Sequence, residues 1–239
     1  LYVNIFAEIF SGVKEVIFEG EEREGDVVTT IEPTVQSFLE KELVSVKTKF
    51  SPESASGIII SPQTGEIYAM AHVPNFDLNN FQDVDNVLTY SNPFVENVYE
   101  FGSVIKPLVI AAGIEEGVIS ASTPFYDKGS IQVEDKEIFN FDKKGRGQIT
   151  MQDVLSESLN TGMVFAMQKL GRNKFKDHML DYRLGEKTNI DLPNEAKGLV
   201  SNLEEPRELE YATAAFGQGI SFSPVVLVRA LSSLGNGGY

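Results

Sequence analysis

The spacing of apolar residues changes period several times along the chain, and each change marks an element. Val35, Phe38, Leu39, Leu43 and Val46 fall three or four apart, which predicts an amphipathic helix after a short strand that begins near Asp26. Gly57-Ile58-Ile59-Ile60 and Ile67-Tyr68-Ala69-Met70-Ala71 flank a turn containing Pro62 and Gly65, the pattern of a β-hairpin. Between Ile105 and Ile114 the chain is apolar all round except at Lys106, as a buried helix would be, and Gly117 suits its left-handed cap. Such a helix is too short to cross a bilayer, which needs about 20 residues. Thr150 and Asp153 form a capping-box pair, and a following helix runs through Val164, Phe165, Met167 and Leu170 to Gly171. Ile131-Gln132-Val133 and Ile138-Phe139-Asn140-Phe141 predict a surface hairpin, with a turn over Lys143 to Gly147. Ser223 is placed to cap, and Pro224 to start, a helix that closes near Gly235.

Chemistry enters with Ser103-Val104-Ile105-Lys106, which puts a hydroxyl and an amine one helical turn apart where the buried helix begins. A serine hydroxyl needs a nearby base to act as a nucleophile, and lysine serves when burial or the positive end of a helix keeps its amine neutral. Pro107 fits a first turn, where its missing N–H has no partner to lose. The same spacing at Ser11-Gly12-Val13-Lys14 leads instead into the strand-like Val16-Ile17-Phe18 and a charged run, so context separates the two. A second polar cluster, Ser158-Leu159-Asn160, lies at a joint between helices. It sends two short hydrogen-bonding side chains the same way, although serine and asparagine also favour plain caps and turns.

These two clusters, in this order and about fifty residues apart, resemble the transpeptidase domain of penicillin-binding proteins, whose site combines Ser-x-x-Lys, Ser-x-Asn and a later Lys-Thr-Gly strand. The hairpin from Gly57 to Ala71 is similar to the one that opens the family's sheet. Ala215-Phe216-Gly217-Gln218-Gly219 is similar to its glycine-glutamine-glycine segment, and Asp26 to Gln36 resembles the lead-in of its monofunctional class B members. The fold the resemblance implies is α/β (α+β), of penicillin-binding protein and serine β-lactamase type: an antiparallel sheet with a helical subdomain. Residues 1–25 would be the tail of an N-terminal domain or a linker, and residues 26–239 the N-terminal portion of the transpeptidase domain.

The resemblance implies a D,D-transpeptidase that cross-links peptidoglycan stem peptides ending in D-Ala-D-Ala through a serine acyl-enzyme. Ser103 would be the nucleophile, Lys106 its base and Ser158 a proton relay, and Asn160 would hold the substrate amide. β-Lactam antibiotics would acylate Ser103, and a membrane glycan polymerase would be a partner. The site would lie outside the cytoplasmic membrane, with an anchor upstream of residue 1. A serine β-lactamase or penicillin sensor shares the machinery, and a non-catalytic scaffold of the wall-synthesis machinery is a third reading. Phe101 stands where most members carry proline.

Composition changes this picture little. A net charge of -15 over 239 residues argues against nucleic acid as a partner. The absence of cysteine and the presence of only His72 and His178 fit a site without metal or organic cofactor, and the run Glu19, Glu21, Glu22 and Glu24 reads as an exposed turn. No Lys-Thr-Gly occurs in the sequence. In the family that strand follows this region, which would leave C-terminal sheet strands missing and the hairpin edge exposed. The chain also starts at Leu1 without a signal peptide, so both ends read as cut. The expectation is that these residues alone fold poorly and are catalytically weak, because losing an oxyanion-hole donor costs about a hundredfold to a thousandfold in turnover.

Overall fold

A computed structural model of the chain describes residues 28–82 and 87–238. The Ser11 tetrad, the acidic run from Glu19 to Glu24 and the proposed linker at residues 1–25 lie outside the described residues.

Helix α1, Pro33–Phe50, starts where Pro33 fixes the first turn and the Glu32 carboxylate accepts a hydrogen bond from Val35 N at 2.7 Å. The described part of the preceding segment, Val28 to Glu32, is not a strand. The apolar side of α1 is also less covered than its periodicity predicts. Leu43 is its buried residue, while Phe38 is 62% exposed. The reason lies in how α1 meets its neighbour, strand β2 (Ile67–Val73), which pairs antiparallel with β1 (Ala55–Ile60). Gln36 offers its side-chain amide to the backbone of Met70, donating to the carbonyl at 3.1 Å and accepting from the N–H at 2.9 Å, while Glu32 N donates to Tyr68 O at 2.9 Å. The outer edge of β2 is therefore paired by α1 through hydrogen bonds, while no described strand pairs with β1 on its other side.

The larger core forms among helices. Gly102–Ile105 is a 3-10 turn that runs directly into α2 (Lys106–Glu115). Strands β3 (Pro124–Asp127) and β6 (Gly147–Thr150) pair antiparallel and enclose the hairpin β4 (Ser130–Val133) and β5 (Lys136–Phe139) in sequence. Val133 and Ile138 are buried while Gln132, Lys136, Glu137 and Phe139 are exposed, so this is the surface hairpin that the sequence predicts, packed by one face on the core. Helices α3 (Met151–Ser156) and α4 (Asn160–Leu170) follow, with the Thr150 and Asp153 capping box formed as predicted. Next come α5 (Arg172–Asp181), α6 (Glu208–Ala214) and α7 (Pro224–Ser232).

Leu108, Val109 and Ala112 of α2 and Met163, Val164 and Ala166 of α4 are fully buried in one cluster with residues of α5, α6 and α7. A smaller cluster of Phe94, Val95 and Val225, with Ile58, Met70, Ile190 and Leu192 against it, ties the β1–β2 hairpin to α7. Ser223 occupies the N-cap position of α7 as expected, but its buried hydroxyl makes no hydrogen bond. Pro224 and the adjoining buried Val225, Val226 and Leu227 set that helix instead. Among the described residues no helix is long and apolar enough to cross a membrane.

Candidate active site

The 3-10 turn and α2 place Ser103 and Lys106 differently in spite of their closeness in sequence. Ser103 is exposed, whereas Lys106 is 1% exposed and points into the body of the protein. The Lys106 Nζ donates to Ser158 O at 2.7 Å, to Ser158 Oγ at 3.1 Å and to Asn160 Oδ1 at 2.8 Å. The two motifs picked out from sequence therefore meet at this one amine. Burial without a carboxylate partner penalises the ammonium form, and the Lys106 pKa falls from its ordinary 10.5 to about 8.

Three acceptors match the three donors of an ammonium. Once Lys106 loses a proton it has two donors and a lone pair, so one contact must reverse. Of the three partner atoms, the Ser158 hydroxyl is the one that can also donate. The protonation state of Lys106 is thus coupled to the direction of the Ser158 O–H.

The backbone explains how Ser158 and Asn160 reach the amine. Leu159 N donates to Val154 O at 2.9 Å and Ser158 N to Leu155 O at 3.2 Å, the paired bonds that close a helix through a left-handed residue. That residue is Ser158, at φ 55°, where glycine is the usual occupant. The cap-and-turn reading of Ser158 is structurally right, and the serine stands at a position its side chain disfavours. Asn160 opens α4, and its Nδ2 donates to Phe139 O at 3.0 Å. This fixes the amide orientation, since the reverse would set an NH2 against the lysine.

The loop before Ser103 is clamped from the other side. Tyr99 and Phe222 exchange backbone hydrogen bonds at 3.0 and 3.2 Å, Gly102 N donates to Gly217 O at 3.2 Å, and Gly219 N donates to the Glu100 carboxylate at 3.1 Å. Gly217 has φ +80°, and a Cβ there would lie 2.2 Å from Gly102 O. The glycine-glutamine-glycine segment therefore serves as a close-fitting backbone support for the nucleophile loop. Phe101 packs its ring 5.3 Å from that of Phe222, an anchor for this loop where proline was the family expectation.

Over residues 55–239 the chain matches the family described as the penicillin binding protein transpeptidase domain. The chain belongs to this family. Among curated relatives, stage V sporulation protein D of Bacillus subtilis is 35% identical over 214 residues, covering 89% of this chain and 33% of that protein. The peptidoglycan D,D-transpeptidase FtsI of Escherichia coli K12 is 26% identical over 218 residues, covering 89% and 36%. The chain spans about a third of the length of the curated relatives it matches. In fold it is similar to a peptidoglycan glycosyltransferase from Burkholderia ambifaria, with a TM-score of 0.77 at 21% identity, covering 87% of this chain and 61% of that one.

The histidines have partners away from this transpeptidase-family site. His72 Nδ1 meets Ser56 Oγ at 2.7 Å across the hairpin, and His178 Nε2 meets Glu116 Oε1 at 3.0 Å. What sequence reasoning missed is a buried polar group beneath the site, Asp127, Asn140 and Thr161, each at most 2% exposed. Its members come from the end of β3, the residue after β5 and the first turn of α4, too far apart in sequence for one local pattern to join them.

Proposed function

We propose that this domain is the acylating part of a peptidoglycan D,D-transpeptidase acting on stem peptides ending in D-Ala-D-Ala. The observation that supports this most strongly is the buried Lys106 amine, with its pKa near 8, held by both residues of Ser-x-Asn. In this reading neutral Lys106 takes the proton of Ser103 as its Oγ bonds to the carbonyl carbon between the two D-alanines. That proton passes through Ser158 Oγ to the leaving amine as the C–N bond breaks and the last D-alanine departs. The amine of a neighbouring stem peptide then attacks the ester, returns a proton to Ser103 and closes the cross-link.

Asn160 would hold the substrate amide while it also serves the protein. Its Oδ1 already serves Lys106 and its Nδ2 serves Phe139 O, which leaves one hydrogen-bonding position on each atom for a substrate amide. β-Lactams would acylate Ser103 by the same route. The substrate's location implies a site outside the cytoplasmic membrane, and a glycan polymerase is the partner that would supply new strands.

The test is incubation of the intact protein with a fluorescent penicillin, followed by mass spectrometry of the peptide containing Ser103. A stable adduct on Ser103, absent after Ser103→Ala, is the expected result. An adduct on another residue overturns the assignment, and an adduct lost within seconds indicates a β-lactamase instead.

A further inference from the structure

The Ser-x-Asn joint rests on buried polar side chains drawn from three separate segments. Asp127 closes β3, Asn140 follows β5 and Thr161 is the second residue of α4. The Asp127 carboxylate accepts from Thr161 Oγ1 at 2.8 Å, from Asn140 Nδ2 at 3.1 and 2.9 Å, from Gly129 N at 2.9 Å and from Arg146 N at 3.0 Å. Asn140 Oδ1 in turn accepts from Thr161 N at 3.2 Å, so it satisfies a first-turn N–H of α4 from outside the helix. A buried carboxylate among neutral donors is expensive unless its hydrogen bonds are held in place. Here they lock the start of α4 to the end of β5.

That lock acts on the amide next to it. Asn160 precedes Thr161, and Phe139, whose carbonyl accepts from Asn160 Nδ2, precedes Asn140. Asn160 itself and Phe139, which holds its Nδ2, are thus each one peptide away from a residue bonded to Asp127. We infer that Asp127, Asn140 and Thr161 form a positioning network that holds the Asn160 amide against Lys106 and thereby sets the rate at which Ser103 is acylated. The inference rests on the acylation chemistry proposed above.

The experiment measures the second-order rate of acylation by a fluorescent penicillin in the intact protein, for Thr161→Val and Thr161→Ser, each in the parent and in an Asn160→Ala background. Thr161→Val is expected to slow acylation about tenfold in the parent and less than twofold in the Asn160→Ala background, with Thr161→Ser retaining the rate within about threefold. Equal slowing in both backgrounds, or none in the parent, overturns the inference. Thr161→Cys, which fills the same space with a weakly donating thiol, replaces Thr161→Val if that variant does not fold. Should the parent show no acylation, the proposed function fails, and the network is read from hydrogen exchange of the Asn160 side-chain amide by NMR. Exchange at least tenfold faster in Thr161→Val than in Thr161→Ser supports the network, and equal exchange overturns it.

Discussion

The helical body and the β1–β2 hairpin treat their polar groups in opposite ways. Around α2 and α4 the chain buries Lys106, Asp127, Asn140 and Thr161 almost completely and gives each hydrogen-bond partners. Along the hairpin the backbone edge of β2 is bonded to Gln36 and Glu32, while Phe38 and Phe50 on α1 remain exposed. The contrast shows where precision is needed. A reactive amine must be kept from water and held at fixed distances, whereas an edge need only be paired.

The sharpest way to break the contrast is Lys106→Ala. It should reduce penicillin acylation of Ser103 by a thousandfold or more, on the order of the loss seen when the partner of a catalytic serine is removed. Activity within tenfold of the parent would show that the buried amine is structural. Next in size, Leu108→Ala in the helical core should destabilise the protein by about 3 kcal/mol in urea unfolding, because a fully buried leucine leaves a cavity.

Ser158→Gly separates chemistry from folding at a single residue. Glycine suits φ 55° better than serine, so the unfolding midpoint should hold or rise while acylation falls by about a hundredfold. A fall in both would make Ser158 a folding residue first.

The pH dependence follows from Lys106. Acylation should rise about tenfold per pH unit up to roughly pH 8 and then level off, as the amine becomes neutral. Its folded pKa is depressed, so between about 8 and 10.5 the unfolded chain binds more protons than the native one. Lys106 therefore opposes folding most below pH 8, and its contribution to stability improves as pH rises through that window. Lys106→Met should remove that improvement in urea titrations at pH 8 and pH 10. The smallest effect belongs to the hairpin side: Phe38→Ser should change stability by less than about 0.5 kcal/mol, since the ring is 62% exposed.

Much was legible in the residues themselves. The capping box at Thr150, the apolar helix after Ser103 and the Pro62 hairpin are local patterns, and local hydrogen bonding and periodicity decide them. The pairing of Ser103-x-x-Lys106 with Ser158-x-Asn160 was legible through the family resemblance, since neither short spacing specifies a partner about fifty residues away. On α1 periodicity says which residues share a face, and not whether anything covers it.

The sequence by itself determined the helices after Pro33, Ser103, Thr150, Asn160 and Ser223 and which polar atoms are available to a serine nucleophile. Only the tertiary structure decided that Lys106 bonds Ser158 and Asn160, that Gly217 must be glycine because Gly102 O lies where its Cβ would be, and that Asp127, Asn140 and Thr161 join below the site. The physical reason is range. Helix and turn preferences are set within a few residues, but burial, and with it the shifted pKa and the strength of a polar contact, depends on segments that are neighbours only after the chain has folded.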